Sequence, residues 1–99
     1  MAKTIELNGE LYELAAKDGE KMQIICCHRG FVFVGMVEDA ETEVVIRKAS
    51  CVRRWGTTTG LGEIAINGPT ANTILDFAGT VRVHTLSIVC RIDCEADKW

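Results

Sequence analysis

A chain of 99 residues with 47% apolar and 25% charged residues has room for one domain with one modest core, and it is too apolar to stay disordered. Its formal charge of −3 argues against bulk binding to DNA or RNA, which needs a clear basic excess or stripe. No apolar run approaches the roughly 18 residues of a transmembrane helix, so no membrane partner is expected.

Met1-Ala2-Lys3-Thr4 lacks the apolar stretch of a signal peptide, and the expected location is cytoplasmic. Cys26, Cys27, Cys51, Cys90 and Cys94 fall mostly inside apolar runs. In a reducing compartment they read as small hydrophobes that pack a core.

Taken in order, Thr4 to Leu14 carries Asn8-Gly9 between two short apolar-containing runs. Asn-Gly favours a tight hairpin turn, because both central residues of a type I′ turn need positive φ. A short helix over 10–16, with Leu11, Leu14 and Ala15 on one face, competes with that hairpin. Lys17-Asp18-Gly19-Glu20-Lys21 reads as a solvated turn. Met22 to Cys27 is a strand, His28-Arg29-Gly30 a turn, and Phe31 to Val37 the most β-prone run, with Gly35 marking a bend, bulge or close backbone approach. Glu38 to Thr42 is an acidic turn. Glu43 to Lys48 is a further strand, which Ala49 to Trp55 continues or resumes. Strands joined by such short turns form an antiparallel meander and not βαβ units.

The pattern then breaks. Leu61 to Ile66 fits a short helix with Leu61, Ile64 and Ala65 inward, Thr58 or Thr59 as its cap and Asn67-Gly68-Pro69 as its end. Thr73 to Gly79 is short and apolar. Thr80 to His84 alternates like a strand with one wet face, and Leu86 to Cys94 closes the sheet. Trp99 is either loose or docked on the body. The fold expected for residues 1–99 is therefore a single mainly-β domain, a small antiparallel barrel or bent sheet of five to six strands with one short helix after the Arg-Arg-Trp loop.

That loop, Arg53 to Gly62, concentrates two guanidiniums, an indole, three hydroxyls and three glycines. Arg53 and Arg54 suit a phosphate or carboxylate, Trp55 suits a stacked base, and Thr57, Thr58, Thr59 and Gly60 offer hydroxyls and amides at a helix start. The spacing matches neither a P-loop nor a dinucleotide fingerprint. Against a ligand site stands the plain alternative that Trp55 anchors a core or interface and the threonines only turn the chain. In extended chain the two arginines face opposite ways, so one pocket takes one of them unless the backbone turns.

Cys90-x₃-Cys94 has zinc-knuckle spacing, but strand residues four apart lie about 13 Å apart, and no metal site is expected. His28 and His84 are base candidates without a nucleophile–base–orienter set. Cys27 and His28, as strand neighbours, point apart, and the carboxylates of Glu63 and Asp76 stand alone. No catalytic residue, cofactor or enzymatic activity is expected.

Cys51-Val52-Arg53-Arg54-Trp55, the Gly/Thr loop, Leu61-Gly62-Glu63-Ile64-Ala65, Asn67-Gly68-Pro69 and the strand ending at Cys94 resemble, over about residues 22–94, a family of small uncharacterised bacteriophage and prophage proteins. The strand-turn-strand portion is also loosely similar to Sm-like or SH3-like barrels. The first resemblance implies a setting in a host cytoplasm and no catalytic residues. The function expected from it is sequestration of an anionic, nucleotide-like ligand used in host defence, by a homo-oligomer whose Arg53–Gly60 segment holds the ligand. The alternatives are a module that inhibits a host protein, with Trp55, Phe31 and Phe33 as contact anchors, or a minor virion component.

Overall fold

The computed structural model describes residues 4–7, 10–13 and 21–99. Strands β1 (Thr4–Leu7) and β2 (Glu10–Glu13) pair antiparallel, with Ile5 opposite Tyr12 and Glu6 opposite Leu11. The N-terminal segment is thus a hairpin and not the competing helix. The Asn8-Gly9 turn, and residues 17–20 of the turn expected over 17–21, lie outside the described residues, while Lys21 already opens the next strand.

The main sheet contains β3 (Lys21–Cys27), β4 (Val32–Asp39), β5 (Glu43–Arg54), β6 (Ile74–His84) and β7 (Ile88–Asp93). Its order is β6-β5-β4-β3-β7, with every neighbour antiparallel. Helix α1 (Leu61–Asn67) interrupts the meander between β5 and β6. The two apolar runs expected between Thr73 and His84 are one continuous strand, kept continuous by a register shift where Gly79 takes φ +82°. The 3-10 turn Thr85–Ser87 then carries the chain across to the far edge. Strands β6 and β7 stay unpaired with each other, so the sheet is bent and not a closed barrel.

Both faces of the sheet are packed. On one, Ile24, Val32, Val34 and Val52 meet Leu61, Ile64 and Ala65 of α1, and Cys94 and Trp99 pack against the same cluster. Trp99 is therefore docked. Ile64 is fully buried, which for an isoleucine side chain stabilises by about 1.5–3 kcal/mol. On the other face Ile25, Val37, Val44, Ile46, Ala49 and Val83 cluster, with Phe33, Cys27, Val81 and Ile88 beside them. Among the described residues no helix covers this second face. Its residues come from all five strands, including both edges, and the sheet covers it by curling over it.

The curl has a local cause. Between Met36↔Arg47 and Val34↔Ser50, β5 holds one residue more than β4, and Lys48 absorbs the excess at φ +52°. A bulge of this kind bends its strand and raises the local twist. Gly35 lies opposite. A Cβ there would come within 2.8 Å of the Arg47 carbonyl oxygen and of Ile46 Cγ2, so only glycine lets β4 and β5 approach this closely.

Four cysteines are half-buried and Cys90 is exposed, all five being free thiols. Cys26 and Cys94 pack at the margin of one core and Cys27 at that of the other, and the expectation that the cysteines fill a core fails most clearly at Cys90.

Candidate functional site

The expected site residues do not converge on one pocket. Arg53, near the end of β5, donates through Nε to Asp76 Oδ2 at 2.7 Å across the β5–β6 pair. Arg54 and Trp55 are exposed, the indole at 44%. Beyond them Gly56 turns the chain at φ +65°, and a Cβ on it would strike the Asn72 backbone. The 70–73 turn fastens this corner: Thr73 Oγ1 donates to the Trp55 carbonyl at 2.7 Å and Thr70 Oγ1 to the Gly56 carbonyl at 2.8 Å.

The threonines turn toward α1. Glu63 Oε1 accepts from the amide and hydroxyl of Thr58 at 3.1 and 2.9 Å, and from those of Thr59 at 3.1 and 3.0 Å. Thr57 Oγ1 accepts from the Gly60 amide at 3.1 Å. Gly60, at φ +97°, occupies the N-cap position expected for Thr58 or Thr59 and supplies no side-chain cap, while Glu63 of the first helical turn binds back to the two threonines that precede it. The bonds from the Thr58 and Thr59 hydroxyls, then from the amides, hold the Glu63 carboxyl below its ordinary range. The amides and hydroxyls of Thr58 and Thr59 thus already serve an anion, the chain's own.

A second constellation lies where the sheet fails to close. A cleft of about 380 Å³ is lined by Cys27, His28, Arg29, Phe31 and Phe33 on one side and by Val81, Arg82, Val83, His84 and Ser87 on the other. That volume lies within the range of small-molecule sites. The β3–β4 turn and the end of β6 meet here, although β5 and β4 separate β6 from β3 in the sheet, because of the curl.

The cleft's charged groups are basic. Arg29 is held at φ +67° on the tip of the turn, in a region that side-chain-bearing residues avoid. It has no ion-pair partner among the described residues. Arg82 donates to Glu43 at 2.8 Å. His84 Nδ1 accepts from the Leu86 amide at 3.1 Å, so Nε2 is its free ring nitrogen. The rings of Phe31 and Phe33 run parallel, 6.4 Å apart, and Phe31 is 56% exposed.

Deeper along the inner face sits a polar network that the sequence did not announce. Gln23, 6% exposed, donates to Asp93 Oδ1 at 2.7 Å and accepts from Arg91 Nη2 at 2.9 Å. Arg91 also pairs with Asp39 at 2.8 Å. Its hydrogen bond holds the Asp39 carboxyl below its ordinary range.

His28 and His84 were visible in the sequence only as isolated bases, and Arg29 only as part of a turn. The signal that joins them is the pairing of Phe31 and Phe33 on one strand face beside a basic turn. No group of three or more metal-ligating side chains converges among the described residues. No protein-family model, curated protein or solved structure matches the chain, so the resemblance over about residues 22–94 rests on its motifs alone.

Proposed function

We propose that the protein binds and holds a small anionic ligand with a planar ring, nucleotide-like in chemistry, in the cleft between the β3–β4 turn and the end of β6. The observation that carries this reading is the placement of Arg29, strained and without an ion-pair partner among the described residues, at the mouth of a cleft that also contains Arg82 and His84. Arginine forks match phosphate or carboxylate oxygens bidentately. The Nε2 of His84 supplies one more donor, and the exposed face of Phe31 offers a stacking surface. The groups are those of recognition, and sequestration is the function proposed. The phage setting, in which such a protein withdraws a nucleotide signal from its host, belongs to the same proposal.

The test is a thermal-shift panel of linear and cyclic nucleotides, followed by calorimetry on those that stabilise the protein. The expected result is a stabilising nucleotide whose binding is lost in Arg29→Ala and retained in the double variant Arg53→Ala, Arg54→Ala. Loss in the double variant alone would move the site to the Arg53–Gly60 loop. No shift with any nucleotide would overturn the reading.

A further inference from the structure

The register of β7 against β3 places Cys90 directly opposite Cys26. Directly opposed residues of antiparallel strands have Cα atoms about 4.5 or 5.5 Å apart, depending on the type of pair. Both values fall inside the span a disulfide bridges, about 4.4–6.8 Å. The neighbouring Cys90 also helps to raise the Cys26 thiol, as a group close beside it does. The other cysteines are placed differently. Cys27 follows Cys26 on the opposite face, across a register shift, and packs with the inner core. Cys51 lies opposite Phe33 and Asp76. Cys94 is bonded through its backbone amide to Met22, further along β3.

We propose that Cys26 and Cys90 form a reversible disulfide that staples the edge strand β7 to β3. The two partners divide the work. Cys90 is exposed and meets the oxidant, a small-molecule disulfide such as oxidised glutathione. Its thiolate attacks one sulfur of that disulfide, and one glutathione leaves as thiolate. Cys26 then attacks the Cys90 sulfur, and the second glutathione leaves. Two protein thiols and one glutathione disulfide become one protein disulfide and two glutathione thiols, the two protons passing to the departing sulfurs.

Cys26 is not the first attacker. Burial, then the adjacent Cys90, then the charge of Cys27, push its thiol up to about 12. The second step therefore quickens as pH rises. The bond would close most of the main sheet's chain into one loop, the situation in which a cross-link removes most freedom from the unfolded state. It would fix the edge strand that follows Ser87, a residue of the cleft wall. The proposal is independent of what the cleft binds.

The reduced protein is equilibrated in glutathione buffers of graded potential, alkylated, and mapped by mass spectrometry with fragmentation between Cys26 and Cys27. The expected product is a monomer lighter by two hydrogens, bridged from Cys26 to Cys90, with Cys27, Cys51 and Cys94 alkylated. Its melting temperature should rise by about 10 °C or more and fall back with dithiothreitol. Cys27→Ser should keep the bridge, while Cys26→Ser and Cys90→Ser should each lose it. A lasting glutathione adduct on Cys90, a bridge to another cysteine, or a bridged protein with an unchanged melting temperature overturns the proposal.

Discussion

Glu63 sits over Thr59 as a bound anion would, its Oε1 accepting from both the amide at 3.1 Å and the hydroxyl at 3.0 Å. The same oxygen also serves Thr58, so one carboxylate orders the approach to α1. Glu63→Gln should lower the melting temperature at neutral pH. The folded carboxyl titrates below its ordinary value of 4.5, so its contribution is complete above that value and is lost as pH falls through the lower, folded one. Melting curves of the two proteins should converge in acid. A gap that stays constant down to low pH would contradict this role.

Arg29 and Lys48 both hold positive φ, but only Arg29 lines the cleft. Replacing either by glycine removes a backbone cost of about 1 kcal/mol, partly offset by the entropy glycine adds to the unfolded chain. Arg29→Gly should therefore be no less stable than the parent in urea, and should lose nucleotide binding. Lys48→Gly should match it in stability and keep binding. Equal loss of binding in both would deny Arg29 a specific part.

Gly56 combines positive φ with direct contact against the Asn72 backbone. Gly56→Ala should cost about 2 kcal/mol or more, from left-handed strain together with overpacking. The corner it forms is fastened to the 70–73 turn, so hydrogen exchange should speed at the amides of Thr70, Asn72 and Thr73, which bond within that turn. An unchanged unfolding midpoint would show that the corner can relax.

Arg91 satisfies the buried oxygen of Gln23 through both Nε and Nη2, at 3.2 and 2.9 Å. Arg91→Met should cost about 1–3 kcal/mol, the penalty of leaving a buried acceptor unpaired. Combining it with Gln23→Leu should recover part of that loss, because the orphaned group is then gone. Denaturant titration of the three variants, with non-additivity as the readout, decides the point.

The meander was legible because β3, β4 and the first half of β5 alternate between two buried faces, and because Asp and Gly punctuate the turns. Helix α1 was legible from the spacing of Leu61, Ile64 and Ala65 and from the stop at Gly68. What a linear pattern does not carry is curvature. The cleft exists because β6 reaches the β3–β4 turn, a relation fixed by bulges at Lys48 and near Gly79. The Arg53–Gly60 stretch drew attention because hydrogen-bonding groups crowd there in the chain. Several of those groups find their partners locally, in Glu63, Thr70, Thr73 and Asp76. Groups that are adjacent in sequence can also answer one another, and Arg29, which is answered by no carboxylate among the described residues, stood alone in a turn.

The supernumerary residue in β5 also sets a reading frame for the strand. Val44, Ile46 and Ala49 share one core while Val52 belongs to the other, an assignment that strict alternation from Val44 through Val52 would not give. Excising Lys48 would leave each remaining side chain on its present side, at the expense of the bend. Excising a residue at Val52 instead would turn the stretch back to the bulge inside out, exchanging its buried and solvated side chains. For this strand the tolerance of a one-residue deletion depends less on what is removed than on how far it lies from Lys48.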